Sequence, residues 1–165
     1  MSHEIKSYSK VAVLYGGSSS EREISLITGK AVFDSLQLKG INAILIDTIE
    51  PFIEVLKIER VTHAWIALHG SDGEDGKIQS ILRMLNIKHT GSDPITCSIT
   101  MNKYFTKSIL QSNGFKTPEY MMISSSTKYE DIVNKLSEPF VLKQCSEGSS
   151  IGIFMIESRE QYSAH

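Results

Sequence analysis

Ten consecutive residues, Gly16-Gly17-Ser18-Ser19-Ser20-Glu21-Arg22-Glu23-Ile24-Ser25, hold the densest chemistry of the chain. Glycine lets a backbone turn sharply and approach a ligand closely. A helix start offers unpaired N–H groups and partial positive charge to an anion. Glu21 sets a fixed negative charge in the same place. A site with both signs suits a small zwitterion, such as a free amino acid, better than a bare phosphate. The same residues also suit a plain strand-to-helix turn with Ser20 as N-cap and Glu23 as capping-box acid.

A second stretch, Glu147-Gly148-Ser149-Ser150-Ile151-Gly152, follows Lys143. Backbone N–H groups and hydroxyls of such a loop can donate to phosphate oxygens while the lysine neutralises charge. The Walker spacing of a P-loop is absent, and a mobile hairpin turn with a solvated lysine fits the same residues. His69-Gly70 closes an apolar run; a histidine there is either structural or placed opposite Glu21. Lys103, near the middle of a long helical pattern, suits a surface lysine when taken alone. Asp72, Glu74 and Asp75 lack the further ligands of a calcium loop and read as a solvated acidic turn.

The elements that must position these groups alternate between strand and helix. Strands are expected at Lys10–Tyr15, Asn42–Asp47, Ala64–Leu68 and Lys88–Thr90. Helices are expected at Glu21–Lys39, with Ile24, Ile27, Ala31, Leu36 and Leu38 as its apolar stripe, at Pro51–Lys57, where proline opens the helix, and at Gly76–Leu85. Apolar strands separated by helices point to a covered parallel sheet, whose ligands bind beyond the carboxyl ends of strands. Both the Gly16 and the His69 turns lie at such ends. After Gly91 the pattern changes: a long helix from Asp93 to Ser112, a strand at Tyr120–Ile123, a helix at Tyr129–Leu136, a hairpin of Phe140–Lys143 and Ile151–Ile156, and the start of a helix at Gln161–His165. The expected organisation is an α/β domain over 1–91 and an incomplete second domain over 92–165.

The bulk composition fits a soluble globular protein: 41% hydrophobic and 22% charged residues, with a net charge of −2. No basic block of the kind that tracks nucleic acid is present. No apolar run reaches the roughly 20 residues of a membrane span, and residues 1–10 lack a signal-peptide core. Cys97 and Cys145 form neither a metal motif nor a disulfide framework, which fits a reducing compartment. A cytoplasmic location is expected.

Taken in order, these motifs resemble the D-alanine–D-alanine ligases of the ATP-grasp superfamily. The resemblance rests on Val11-Ala12-Val13-Leu14-Tyr15-Gly16-Gly17 with Ser20-Glu21-Arg22-Glu23-Ile24-Ser25-Leu26, Ala67-Leu68-His69-Gly70 with Gly73-Glu74-Asp75-Gly76, Thr90-Gly91-Ser92, Met101-Asn102-Lys103, and Val141-Leu142-Lys143 with Glu147-Gly148-Ser149-Ser150-Ile151-Gly152. It covers nearly the whole chain and implies the amino-terminal half of such an enzyme. The implied fold is a Rossmann-like parallel-sheet domain followed by the start of an α+β ATP-grasp domain. The implied reaction uses ATP to phosphorylate the carboxylate of one D-alanine; the amine of a second then displaces phosphate, and the dipeptide feeds peptidoglycan synthesis.

Carried over by residue, the resemblance implies that Glu21 binds the first substrate's ammonium, with Gly17, Ser20 and His69 beside it. Ser149 would be linked to Glu21 through a tyrosine, and Glu21, Ser149 and His69 form the implied catalytic set. Lys103 and Lys143 would hold ATP phosphates, with Glu147, Gly148, Ser149, Ser150 and Gly152 as the covering loop. The sequence departs from the family pattern at Gln144, Asn102 and Asp93, where proline, aspartate and a small residue are usual. The Mg2+ ligands, the adenine linker, the tyrosine and most of the second amino-acid site belong to the family's other half, so no metal ligand is assigned here and these 165 residues alone are expected not to turn over ATP. Homodimerisation through the first domain is also implied, with helices 21–39 and 76–86 as candidate surfaces. Two other readings stay open: a truncated, non-catalytic ligand-binding or dimerising module, and a ligase with D-lactate or D-serine as second substrate.

Overall fold

The computed structural model describes residues 10–165; the polar segment at 1–9 lies outside them. The chain divides into two compact units, the first ending at Ser98 and the second covering Ile99–His165. No helix of the described residues is long and apolar enough to cross a membrane.

In the first unit, β1 (Val11–Tyr15), β2 (Ala43–Asp47), β3 (His63–Ile66) and β4 (Lys88–His89) form one parallel sheet in the order β2-β1-β3-β4. Val11 pairs with Ala43 on one side and His63 on the other. Val11, Ala12, Val13 and Leu14 are all buried, as a central parallel strand requires. The chain leaves β1 for β2 on one side and returns to β3 on the other. That reversal opens a crevice beyond the carboxyl ends of β1 and β3, the place where doubly wound sheets bind ligands. The core beneath it joins Leu14, Ile46, Leu56, Leu68, Ile78 and Leu82 among others.

Helix α1 (Arg22–Leu38) does not bury the stripe expected of it. Ile27 is 68% and Leu38 90% exposed. Its buried residues are Ser25 and Gly29. The reason is close approach: a Cβ on Gly29 would overlap the Cβ of Tyr15 on β1. A helix this near its strand needs small residues at the contact more than apolar ones. The expected cap is also corrected. Glu21, not Ser20, holds the N-cap position, and no side chain caps the helix. The fully buried Ser25 hydroxyl donates to the Ala67 carbonyl at 2.8 Å, tying α1 to the end of β3. Ser25→Ala would leave that carbonyl without its partner. The expected cost is about 1–3 kcal/mol, read as a lower denaturant midpoint with an unchanged m-value. A loss below about 0.5 kcal/mol would refute the assigned role of the tie.

Helices α2 (Phe52–Ile58) and α3 (Lys77–Met84) complete the first unit. Pro51, expected as the first residue of the helix, holds the N-cap of α2 instead, and Gly76 sits at the N-cap of α3 with φ +93°. A side chain at Gly76 would collide with the Pro94 carbonyl and the Ser98 hydroxyl, so glycine is required on both counts.

The long helix expected over 93–112 is two helices, α4 (Pro94–Met101) and α5 (Lys103–Ser112). Asn102 is extended between them, and its side chain accepts from the N–H groups of Tyr104 and Phe105. An asparagine competing for backbone N–H groups in this way stops one helix and caps the next. Lys103 is therefore the first residue of α5, not a mid-helix residue. In the second unit, α6 (Tyr129–Leu136) packs Ile132 against Phe140 of β5 (Phe140–Lys143) and Ile156 of β6 (Ile153–Ile156). β5 and β6 are antiparallel, with Lys143 opposite Ile153, and α7 (Arg159–Ser163) follows. The strand expected at Tyr120–Ile123 is irregular chain. Side-chain bonds hold its start instead: the Tyr120 hydroxyl meets Ser108 at 3.0 Å and Gln111 at 3.2 Å.

Candidate functional site

The two turns singled out in the sequence meet within the first unit. Gly16 and Gly17 both have φ above +70°, a conformation that L side chains rarely adopt. They swing the chain from β1 across the sheet end toward α1. Ser19 then donates from Oγ to the His69 carbonyl at 2.7 Å. The Glu21 carboxylate lies against Gly70: a Cβ there would sit 2.7 Å from Glu21 Oε2. Gly70 also has φ +69°. Glu21 is thus seated over the carboxyl end of β3 because position 70 is glycine. The His69 ring reaches Thr28 of α1, Nε2 to Oγ1 at 3.2 Å. Ser20 is exposed in the turn, and Gly17 is buried. A carboxylate at the mouth of a helix, with helical N–H groups nearby, can receive an ammonium on one side and an anion on the other.

The glycine turn has a brace that sequence reading missed. Asp47, the last residue of β2, accepts from the Gly17 N–H at 3.1 Å and from Arg22 at 2.6 and 3.1 Å. Arg22 Nη1 also donates to the Gly17 carbonyl at 2.8 Å. The Arg22 hydrogen bonds hold the Asp47 carboxyl well below the ordinary carboxylate value, at about 2, against the opposing cost of burial. A carboxylate depressed in the folded state adds stability above its unfolded pKa near 4, and that stability is lost as pH falls toward 2. With Asp47 19% and Arg22 33% exposed, the contribution is on the order of 1–2 kcal/mol. Asp47→Asn is expected to flatten the acid limb of stability between about pH 4 and pH 2. Parallel acid limbs in denaturant titrations of both forms would contradict this.

The second unit holds the other predicted residues. Lys103 and Lys143 line one cavity of about 760 Å³, whose apolar wall includes Met121, Val141 and Leu142. Lys107, not foreseen from sequence, lines it too. Its ammonium bonds the Thr117 hydroxyl and the Pro118 carbonyl, both at 2.9 Å, over the ring of Tyr120. Burial and the nearby Lys143 charge push Lys107 below the usual lysine value. The loop after β5 is tied to Lys103: its N–H donates to the Cys145 carbonyl at 2.9 Å, and its ammonium donates to the Glu147 carbonyl. Ser149, Ser150 and Gly152 all have positive φ. Two serines in that region carry local strain of the kind found at ligand-clamping loops. Gln144 lies against Gly152, where a Cβ would come within 3.1 Å of its Nε2. A cavity lined by apolar side chains together with lysines suits a planar apolar group joined to phosphates. Among the described residues, no group of three or more His, Cys, Asp or Glu side chains is placed to hold a metal ion.

No family model matches the chain. A D-alanine–D-alanine ligase of Dichelobacter nodosus is 45% identical over 157 residues, covering 94% of this chain and 51% of that protein. A crystal structure of D-alanine–D-alanine ligase from Bacillus anthracis superposes with a TM-score of 0.84 at 29% identity, over 94% of this chain and 51% of that one. The same enzyme complexed with ATP gives 0.81, covering 52% of its chain. The chain spans about half the length of the curated relatives it matches. The similarity to D-alanine–D-alanine ligases expected from the motifs is found in both sequence and fold.

Proposed function

We propose that the protein is an ATP-dependent D-alanine–D-alanine ligase, with residues 1–91 supplying the first amino-acid site and 92–165 supplying part of the ATP site. One observation carries this most: the Glu21 carboxylate seated over Gly70 where β1 and β3 end together. It gives an ammonium a fixed counter-charge at the mouth of the sheet crevice. His69 and the Gly17–Ser20 turn shape the rest of that pocket.

On the nucleotide side, Lys103 and Lys143 neutralise phosphate oxygens, and the Glu147–Gly152 loop covers them with N–H groups and the Ser149 and Ser150 hydroxyls. In the proposed reaction the carboxylate of the first D-alanine attacks the γ-phosphorus and ADP departs. The amine of the second D-alanine then adds to the acyl carbon, phosphate leaves and a proton is lost. Mg2+, when bound, would neutralise charge on the phosphate oxygens as the phosphoryl group is transferred. We assign it no ligand among the described residues. A homodimer and a cytoplasmic location complete the reading.

The test is D-alanine-dependent release of ADP and formation of D-alanyl-D-alanine by the native protein. ADP release that is independent of D-alanine, or equal with L-alanine, sinks the reading. A mixed product formed with D-lactate or D-serine would change the second substrate only.

A further inference from the structure

We propose that Arg22 and Asp47 are positioning residues for Glu21: they set the shape of the loop that presents it, and with it the affinity of the first amino-acid site. The inference rests on the assignment of Glu21 to substrate binding above. The loop from Gly17 to Arg22 is closed at both ends by one ion pair. At its start, the Gly17 N–H donates to Asp47 and the Gly17 carbonyl accepts from Arg22. At its end, Arg22 is the first residue of α1 and grips both oxygens of Asp47. Asp47 also accepts from the Ile49 N–H at 3.1 Å, which fixes the carboxylate from the β2 side. The clamp is packed so closely that a side chain at Gly16 would overlap the Asp47 carboxylate. Glu21 sits one residue before the clamp's arm, so its backbone follows wherever Arg22 is held.

A guanidinium is suited to this because its planar fork serves a carbonyl and a carboxylate together, which one ammonium cannot do in the same geometry. A plain ion pair linking β2 to α1 would stabilise the domain and do no more. The proposal differs in its consequence: losing the fork frees the loop and blurs the counter-charge that Glu21 offers. Misplacement of a binding group by an ångström is enough to cost large factors in reactivity.

The test uses the native protein with R22A, R22K, D47N and the swapped pair R22D/D47R. The Michaelis constant for D-alanine at the first site is expected to rise about tenfold in R22A and D47N, and several-fold in R22K, with that for ATP changed less than about twofold. Amide hydrogen exchange over 17–21 is expected to quicken at least about tenfold in R22A. The swapped pair restores opposite charges but sets a carboxylate against the Gly17 carbonyl. It should recover melting temperature and not the Michaelis constant. Recovery of both, or variants that lose only the fraction of folded enzyme with unchanged Michaelis constants, would overturn the proposal. If the unmodified protein shows no D-alanine-dependent ADP release, the reading of the site fails, and exchange alone decides the brace: unchanged rates over 17–21 in R22A reject it, and quickened rates retain it.

Discussion

Glu21→Gln is expected to lower kcat/KM for D-alanine roughly 10²- to 10³-fold, with melting temperature held within about 2 °C. Glutamine keeps the shape that rests on Gly70 and removes only the charge. An ammonium taken from water into the crevice then loses its ionic partner, and truncating one side of such a pair costs several kcal/mol. The companion change is Gly70→Ala. Its Cβ would lie 2.7 Å from Glu21 Oε2, and its backbone would have to hold φ +69°. It should displace the carboxylate and reproduce much of the kinetic loss, with some loss of stability as well, since alanine fits that φ poorly. Initial rates of ADP release against D-alanine concentration separate the cases. A loss below about threefold in Glu21→Gln would mean that Glu21 does not hold the ammonium.

Both glycine-rich loops and the parallel sheet were legible in the sequence because they rest on local signals. An apolar run followed by glycines reads as a buried strand ending at a turn, and the placement of Glu21 against Gly70 follows from two such ends lying side by side. Less legible were features set by tertiary approach. The inner face of α1 is marked by Ser25 and Gly29, which periodicity of apolar residues cannot find, because Tyr15 demands closeness rather than greasiness. The Arg22–Asp47 brace links residues 25 apart in sequence. The aspartate ending β2 was its only trace. The break at Asn102 had a local signal, an asparagine able to cap, that the helical pattern around it concealed. The Thr28–His69 and Ser19–His69 bonds join α1 and its entry turn to the end of β3, and only the sheet order makes them neighbours.

That break at Asn102 changes what Lys103 does. As the first residue of α5 its own N–H has no carbonyl one turn back within the helix, and it donates to Cys145 instead. The side chain runs the same way, to the Glu147 carbonyl. Lys103 is therefore both a cation lining the cavity and the tie for the root of the glycine-serine loop. Lys143, on β5, lines the same cavity with its side chain exposed. Removing either charge is expected to raise the Michaelis constant for ATP about 10- to 100-fold in the native protein. Only Lys103→Met should also free the loop, seen as faster amide exchange over 146–151 and faster proteolytic cleavage there. Ser149 and Ser150 hold positive φ in that loop, and a strained conformation persists only while its surroundings impose it. Once the tie is gone, the loop relaxes before nucleotide arrives, and nucleotide must restore the order at the expense of affinity. Equal exchange in Lys103→Met and Lys143→Met would reduce Lys103 to a charge alone. Quicker exchange in Lys103→Met, suppressed again by ATP, would show that loop order and phosphate binding draw on the same residue.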